Sequence, residues 1–327
     1  MRIASLFAAL ALAAGPALGA PALRKVAEVE LPGPPGERFD YLRVDPAGGR
    51  IFVTHLGAGQ VYVVSLKDQK VLATIPGTPG VEDVAYVPEM NRLYSSNWGE
   101  NKIGVIDLAT MKVIERIPTG NKPDGMEYAA PFGKVYVSNE RANAETAIDV
   151  RTGKTTEIKF DSETGVPRYD PVARKLYVNL QDRSELAVID PATDKLVERI
   201  RLPGCRGNHG MALDPERHRV FLACAGGNNV AVLDLDKKQV VASVDIPRGV
   251  DFIEFDPGLR RLYAACISGA IAVIQQGDGD RYTALEELRL ESVHTVAVDP
   301  TTHRVYATLE REGGKPVAKL VVFEPAN

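Results

Sequence analysis

A proline-centred pattern recurs seven times along this chain of 327 residues and constrains the fold more than any other feature. The prolines are separated by 40 to 44 residues, and five of the seven follow an aspartate. An aromatic residue stands six positions after each proline, or five in the third copy. The prolines are Pro46, Pro88, Pro131, Pro171, Pro215, Pro257 and Pro300. This periodicity predicts one structural unit built seven times.

Each copy is rich in Val, Ile and Tyr, with turn-forming residues between short apolar runs. The alternation predicts four antiparallel strands per copy, which we name A to D from the ring axis outward. Proline after aspartate favours a tight turn between A and B. Four strands in about 42 residues are typical of a propeller blade, so we predict an all-β, seven-bladed β-propeller.

The seventh copy stops short of a complete blade. Its A, B and C strands are expected near residues 294–298, 305–307 and 320–323, and the chain then ends. A matching D strand, "VAEVEL", is available at residues 26–31. We therefore predict a single domain over residues 23–327 whose last blade is closed by the N-terminal strand, which leaves no open sheet edge.

The first 22 residues have the features of a secretory signal peptide. Arg2 is followed by an apolar run over residues 3–14 and small residues around 15–22, with cleavage expected after Gly19 or Ala22. We expect a periplasmic or secreted monomer with no integral membrane segment. The net charge of −4 and pI of about 5.8 argue against nucleic-acid binding, which needs a basic surface.

Four segments resemble the Tyr-Val-Thr-Asn (YVTN) repeats of the YncE-like seven-bladed β-propellers. They read "IFVTHL", "LYSSNW", "VYVSNE" and "LYVNLQD". A WD40 protein is excluded because the chain has one Trp, and a kelch protein because paired glycines do not occur once per blade. The resemblance implies the fold. It leaves function open, because propellers include lyases, lactonases, oxidoreductases and binding proteins.

Polar residues are expected to gather at one mouth of the central channel. Loops entering strand A and leaving strand B lie on one face of an antiparallel blade, so two sets of positions share a rim. The innermost set is Asp40, Glu82, His209, Asp251 and His294, with Asp83 and Asp124 one residue out of register. The set at the end of strand B includes His55, Asn97 and Asn139. By the same counting, His218 and His303 fall in turns on the opposite face.

These residue types suit two kinds of chemistry. Imidazoles and carboxylates could bind a divalent transition metal, with His55, His209, Asp251 and His294 as candidate ligands. His209 or His294 could instead act as acid and base on a substrate. The carboxylates could equally bind Ca²⁺, and all of these groups could merely line a hydrated channel.

Basic and aromatic side chains recur on the same loops. Lys122, Arg206 and Arg248 could receive an anionic substrate or pair with nearby acids. Trp98, the only tryptophan, could stack on a sugar, anchor a partner protein or pack on the next loop.

The three cysteines favour a structural role. Cys205 precedes strand A and Cys224 ends strand B of the same blade, so we predict a disulfide between them in an exported protein. A Cys224–Cys266 bridge and a Cys/His metal cluster remain alternatives.

Several functions remain compatible with the chain. The leading interpretation is an exported propeller that binds a small molecule, a metal or a protein partner at the channel rim. One alternative is a metal-assisted lyase or lactonase acting on an anionic or sugar-like substrate, with an oxidoreductase less favoured. A second alternative is a passive surface protein. The sequence contains no phosphate loop, dinucleotide fingerprint or hydrolase nucleophile elbow.

Overall fold

The computed structural model describes residues 22–326, which form seven antiparallel sheets arranged as blades around a channel, six of them four-stranded and one with a short fifth strand. The predicted seven-bladed β-propeller is confirmed. The innermost strands of successive blades pack side by side, and the first of them also contacts the last, so the ring is closed. Nearly all of the predicted signal peptide lies outside the described residues, so it stays a prediction.

The strands follow the repeat copy by copy. The N-terminal strand is β1 (Leu23–Glu30). Blade 1 contains β2 (Leu42–Asp45), β3 (Arg50–His55), β4 (Gln60–Ser65) and β5 (Val71–Pro76). Blade 2 contains β6 (Val81–Val87), β7 (Arg92–Asn97), β8 (Lys102–Asp107) and β9 (Lys112–Pro118). Blade 3 contains β10 (Pro123–Ala129), β11 (Lys134–Asn139), β12 (Ala144–Asp149) and β13 (Thr155–Lys159). Blade 4 contains β14 (Thr164–Asp170), β15 (Lys175–Leu180), β16 (Glu185–Asp190) and β17 (Lys195–Arg201).

The second half of the ring has the same plan. Blade 5 contains β18 (Asn208–Asp214), β19 (Arg219–Cys224), β20 (Asn229–Asp234) and β21 (Gln239–Asp245). Blade 6 contains β22 (Val250–Asp256), β23 (Arg261–Cys266), β24 (Ala270–Gln276), β25 (Tyr282–Ala284) and β26 (Leu288–Arg289). Blade 7 contains β27 (Val296–Val298), β28 (Val305–Glu312) and β29 (Lys315–Pro325). Single 3-10 turns cover Pro88–Met90, Trp98–Glu100, Ala130–Phe132, Glu140–Ala142 and Pro215–Arg217.

The N-terminal strand completes blade 7, as predicted. Strand β1 pairs antiparallel with β29, and Val29 lies opposite Leu320. A further backbone hydrogen bond of 2.9 Å runs from Leu31 N–H to the Ala318 carbonyl. The closing strand begins at Leu23, three residues earlier than the apolar pattern indicated.

The Asp-Pro repeat corresponds to the A–B turns. In blade 4 the Asp170 carboxylate accepts the backbone N–H groups of Val172 and Ala173 at 2.8 and 2.9 Å. The turn then ends on Arg174 in the left-handed region, with φ of 53°. The aspartate carboxylate therefore accepts two backbone N–H groups of the turn that would otherwise be unpaired. The proline that follows the aspartate fixes its own φ at a value that suits the turn.

The core lies between the blades. Side chains of the B and C strands are buried on both faces and interdigitate with the neighbouring blade. Between blades 1 and 2, for example, Phe52 and Val63 pack in one cluster with Leu93 and Ile106. Within residues 22–326, no helix is long and apolar enough to cross a lipid bilayer.

Side chains fill the channel beneath one of its two mouths. Tyr41, Val166 and Phe252 are buried together there, and the ring of Tyr41 meets that of Phe252 edge-on at 4.8 Å. The Arg168 guanidinium lies 5.1 Å from the centre of the Phe252 ring. This layer is the floor of the pocket described next.

Candidate functional site at the channel mouth

A pocket of about 250 Å³ lies at the mouth of the channel where the D–A and B–C loops meet. Its charged lining comes from six of the seven blades. It comprises Arg38, Asp40, Lys122, Asp124, Glu140, Glu163, His209, Asp251 and His294. Blades far apart in sequence thus deliver acidic and imidazole groups to one small volume.

Local backbone geometry aims these side chains at the mouth. Asp124, His209 and Asp251 are each the second residue of an innermost strand, where the pairing with strand B is irregular. Such bulges re-aim side chains. A Cβ at Gly210 would lie 2.5 Å from the Asp251 carbonyl oxygen, so glycine after His209 allows blades 5 and 6 to approach closely.

Four residues on one side of the pocket form what we call the Arg38 cluster: Arg38, Asp40, Asp251 and His294. Arg38 Nη2 lies 2.8 Å from Asp40 Oδ2 and 2.8 Å from His294 Nε2. Because the guanidinium can only donate, His294 Nε2 accepts and the ring proton is on Nδ1. Asp251 Oδ2, 3.2 Å from the same Nε2, consequently has no donor among the described residues.

The other side of the pocket is formed by the Lys122 cluster: Lys122, Asp124, Glu140 and His209. Lys122 Nζ donates to Glu140 Oε2, while Glu140 Oε1 lies 3.6 Å from His209 Nδ1. The other ring nitrogen of His209 is 3.1 Å from the Tyr41 hydroxyl. Buried Asp124 Oδ1 has no hydrogen-bond partner among residues 22–326.

Glu82 lies between the two clusters and adds to the excess of acid. Its carboxyl is hydrogen-bonded to Asp40, and Arg38 Nη2 is 3.9 Å away. Burial and the neighbouring Asp40 raise the pKa of Glu82, and burial also raises that of Asp40, so this pair holds a proton near neutral pH.

Asp124 and Glu140 form a second carboxyl pair, in which the two pKa values shift in opposite directions. Burial, followed by the charge of Glu140, raises the pKa of Asp124 well above its ordinary value. Burial acts in the same direction on Glu140, but the hydrogen bond from Asp124 and the charges of His209 and Lys122 lower its pKa overall. Asp124 is therefore the protonated member of the pair.

The charges of the two clusters and Glu82 do not balance. Five carboxyl groups, from Asp40, Glu82, Asp124, Glu140 and Asp251, face the permanent cations of Arg38 and Lys122. Positively charged groups are attracted to such a site, and protons occupy it otherwise. The arrangement can hold a small cation and can place an imidazole against it.

Three predicted site residues lie outside this pocket because strand B is one strand removed from the channel. His55 is fully buried, stacked on Phe39 at 3.9 Å, and its Nδ1 lies 2.9 Å from the Tyr62 hydroxyl. Burial lowers the pKa of His55 to about 4. The structure thus places His55 apart from the other three predicted metal ligands, inside blade 1.

Asn97 and Asn139 are likewise buried within their own blades. Asn97 donates to Glu100 at 3.0 Å, and Asn139 donates to the Thr146 hydroxyl at 2.8 Å. These amides hold the end of β7 against the following turn and the end of β11 against strand β12.

Asp83 lies deeper in the channel than predicted. Its carboxylate pairs with Arg43, the Nε of which is 2.9 Å from Oδ1, and accepts the backbone N–H of Met126 at 2.9 Å. This ion pair, in which Asp83 is fully buried and Arg43 largely so, links blades 1, 2 and 3 beneath the pocket.

The predicted anion-binding arginines are exposed on the loops around the mouth. Arg206 donates to the Gly226 carbonyl at 2.8 Å, and Arg248 is exposed to solvent. Lys122 alone of the three predicted bases lines the pocket, and Trp98 packs on it with 5.3 Å between Nζ and the ring centre.

The cysteines and the remaining histidines have separate environments. Cys205 and Cys224 form a disulfide with a Cα–Cα distance of 5.0 Å. Cys266 is a buried free thiol, and burial raises its pKa to about 12. On the opposite rim, His218 and His303 pair with Asp236 and Asp256, each at 2.9 Å.

Sequence reasoning missed Arg38, Glu140 and Tyr41. A signal for Arg38 was present, because a basic residue stands two positions before the acid in both "RFD" and "KPD". Glu140 directly follows the predicted end of strand B, where a 3-10 turn begins. Its N–H donates to the Lys122 carbonyl at 3.0 Å, which brings the two side chains together.

Comparison with known proteins identifies the fold of this chain but does not assign it to a family. No family model and no curated protein matches the sequence. Virginiamycin B lyase from Staphylococcus aureus is similar in structure, with a TM-score of 0.75 and 14% identity over 93% of this chain and 99% of the other. A streptogramin B lyase is similar with a TM-score of 0.72 and 13% identity, over 93% and 97% of the two chains. The TM-scores establish a shared propeller fold. Because the sequence identities are this low, function has to be argued from the residues.

Proposed function

We propose that this protein is an exported, YncE-like propeller that binds a small, positively charged or metal-associated ligand in the channel-mouth pocket. The observation that supports this most is the excess of five carboxyl groups over two cations around about 250 Å³. A protein partner could contact only the rim, because the floor of Tyr41, Val166 and Phe252 lies close beneath the mouth.

Export is part of the proposal. The N-terminal signal-peptide pattern favours secretion or a periplasmic location. The Cys205–Cys224 disulfide supports it, because such bonds persist mainly in oxidising compartments. The YncE-like assignment rests on the Tyr-Val-Thr-Asn-like segments and on the seven-bladed fold.

A metal-assisted lyase or lactonase is the second candidate. One observation favours it: a carboxylate, an imidazole and a phenol lie in sequence at the pocket, with His209 Nδ1 3.6 Å from Glu140 Oε1 and its Nε2 3.1 Å from the Tyr41 hydroxyl. Two proteins of similar structure are named as lyases. Under this alternative His209 would remove a proton from the substrate.

A thermal-shift screen tests the binding proposal. Purified mature protein is screened against divalent cations, small amines, lactones and acidic sugars, and hits are measured by calorimetry. We expect divalent cations or amines to raise the melting temperature, and His209→Gln to weaken the same hits. His218→Gln, on the opposite rim, is the matched control.

The screen can also contradict the proposal. If no compound shifts the melting temperature, or if His209→Gln and His218→Gln bind every hit as the wild type does, the pocket is not the binding site. Turnover of a lactone or a lyase substrate that is lost in His209→Gln would favour the second candidate.

A further inference from the structure

We infer that the Lys122 cluster is a site for one divalent first-row transition ion, held by Asp124, Glu140 and His209, whereas Arg38 takes the equivalent cation position in the other cluster. The inference rests on the proposed function and deepens it by naming the ion class and its ligands. It differs from the four-residue metal site predicted from the sequence, which combined His55, His209, Asp251 and His294.

The geometry of the three ligands suits a single ion. One ligand atom from each of Asp124, Glu140 and His209 lies within 4.8 Å of the other two. Glu140 Oε1 and His209 Nδ1 are 3.6 Å apart. Atoms that each lie about 2.1 Å from a shared ion are separated by about 3 to 4 Å, so small side-chain movements complete the site.

The unpaired oxygen of Asp124 is an independent indication of a ligand. Asp124 is only 5% exposed, and its Oδ1 has no hydrogen-bond partner among the described residues. A buried carboxylate without a partner is costly, so it must hold either a proton or a cation. A divalent ion bound at Oδ1 would supply the partner that the protein itself does not.

Tyr41 can set the tautomer of His209 that a metal requires. The Tyr41 hydroxyl lies 3.1 Å from Nε2, and burial raises its pKa well above 10, so the phenol stays neutral. When Nε2–H donates to this oxygen, the lone pair of Nδ1 is free on the side of Glu140. Partners of this kind orient metal-binding histidines in general.

The donor set selects the kind of ion. One imidazole nitrogen and two carboxylate oxygens suit Mn²⁺, Fe²⁺, Co²⁺ or Zn²⁺, whereas Ca²⁺ prefers six to eight oxygen ligands. Three protein ligands leave coordination positions free toward the pocket, where water or part of a second ligand could bind.

The Arg38 cluster contains similar groups but has its own cation. Arg38 Nη2 is at hydrogen-bond distance from both Asp40 and His294, and this occupies the His294 nitrogen that a metal would need. Lys122 binds Glu140 through Oε2, so Oε1 still faces His209. One of the two clusters is therefore available to an external ion.

Calorimetric titration of the full mature protein with Mn²⁺ and with Zn²⁺ tests this inference. We expect one ion per chain. Asp124→Asn preserves size and should weaken binding by about 100-fold or more. Lys122→Met removes a competing charge and should strengthen binding by about tenfold.

Two contrasting variants make the result interpretable. Asp251→Asn, in the Arg38 cluster, should change the affinity by less than about tenfold, and His218→Gln should leave it unchanged. Circular dichroism and melting temperature check that each variant is folded.

The inference is overturned if wild type binds neither ion, if Asp251→Asn weakens binding as much as Asp124→Asn, or if Lys122→Met weakens it. Binding of an amine without any metal binding would contradict the metal-ion inference but would still support the proposed binding function. Failure of both would remove the pocket as a binding site.

Discussion

The two clusters at the channel mouth contain the same kinds of side chain and differ in how they hold positive charge. In the Arg38 cluster one guanidinium nitrogen bridges a carboxylate and an imidazole, at 2.8 Å from each. In the Lys122 cluster the ammonium group binds one oxygen of Glu140 and leaves the other oxygen facing His209. A rigid, branched donor satisfies several acceptors, whereas a point charge satisfies fewer. The choice of base therefore decides which cluster can accept an ion.

The clusters also differ in their surroundings. His209 follows the Cys205–Cys224 disulfide, which ties its loop to the end of β19. His294 lies in the loop before β27 and borders a second cavity of about 310 Å³, which Arg38, Ile267 and Glu310 also line. The Lys122 cluster is thus covalently braced, and the Arg38 cluster is open on one side.

Removal of the Cys205–Cys224 disulfide should have the largest effect on the contrast between the braced Lys122 cluster and the open Arg38 cluster. We expect Cys205→Ala combined with Cys224→Ala to lower the free energy of unfolding by about 3 kcal/mol, because the bond closes a loop across 19 residues. Urea denaturation measures the loss. Affinity for Mn²⁺ at the Lys122 cluster should fall as the His209 loop loosens.

Cys266→Ala is the matched control, because it removes a buried sulfur without breaking a cross-link. Its cost should be clearly smaller than that of the double variant. Equal costs for the two, or unchanged Mn²⁺ affinity in the double variant, would contradict a brace specific to the Lys122 cluster.

Replacement of Arg38 should make the two clusters alike. Arg38→Met should lower stability by about 1 to 2 kcal/mol, a value reduced by the partial exposure of this side chain. The variant should also gain a second divalent-ion site at Asp40, Asp251 and His294. Equilibrium denaturation and calorimetric stoichiometry measure these effects, and one ion per chain in both proteins would show that Arg38 does not exclude the ion.

Replacement of Glu82, which lies between the clusters, should have the smallest effect and should depend on pH. Burial and Asp40 hold the pKa of Glu82 above its ordinary value of 4.5, so the folded state binds this proton more tightly than the unfolded state. Its stabilising contribution is complete below pH 4.5 and is lost as the pH rises through the folded-state pKa. Glu82→Gln does not titrate, so its stability relative to wild type should increase steadily between pH 5 and pH 8.

Melting curves at pH 5 and pH 8 measure the Glu82 effect. Glu216→Gln, which removes an exposed carboxylate on the opposite rim, is the matched control. A Glu82→Gln difference that did not grow with pH would show that Glu82 is ionised in the fold.

The fold was largely predictable because every copy of the repeat contains the same turn and strand signals. Seven Asp-Pro-like turns and alternating apolar runs specify seven blades, and the missing D strand of the seventh copy indicates closure by residues 26–31. The start of β1 at Leu23 was less predictable, because Arg24 and Lys25 interrupt the apolar pattern.

The candidate site was predictable only in part. Counting from the proline located Asp40, His209, Asp251 and His294, which the structure brings to one pocket. The same counting could not tell that His55 points into blade 1, because residues at the end of strand B are one strand away from the axis. Glu140 and Arg38 depend on loop conformation, which strand periodicity does not encode.

Anomalous diffraction from crystals soaked with Mn²⁺ would locate the bound ion directly. We expect one anomalous peak at the mouth, about 2.1 Å from oxygens of Asp124 and Glu140 and from Nδ1 of His209, with Arg38 still bound to Asp40 and His294. A peak between Asp40, Asp251 and His294, or no peak at the mouth at millimolar Mn²⁺, would contradict it.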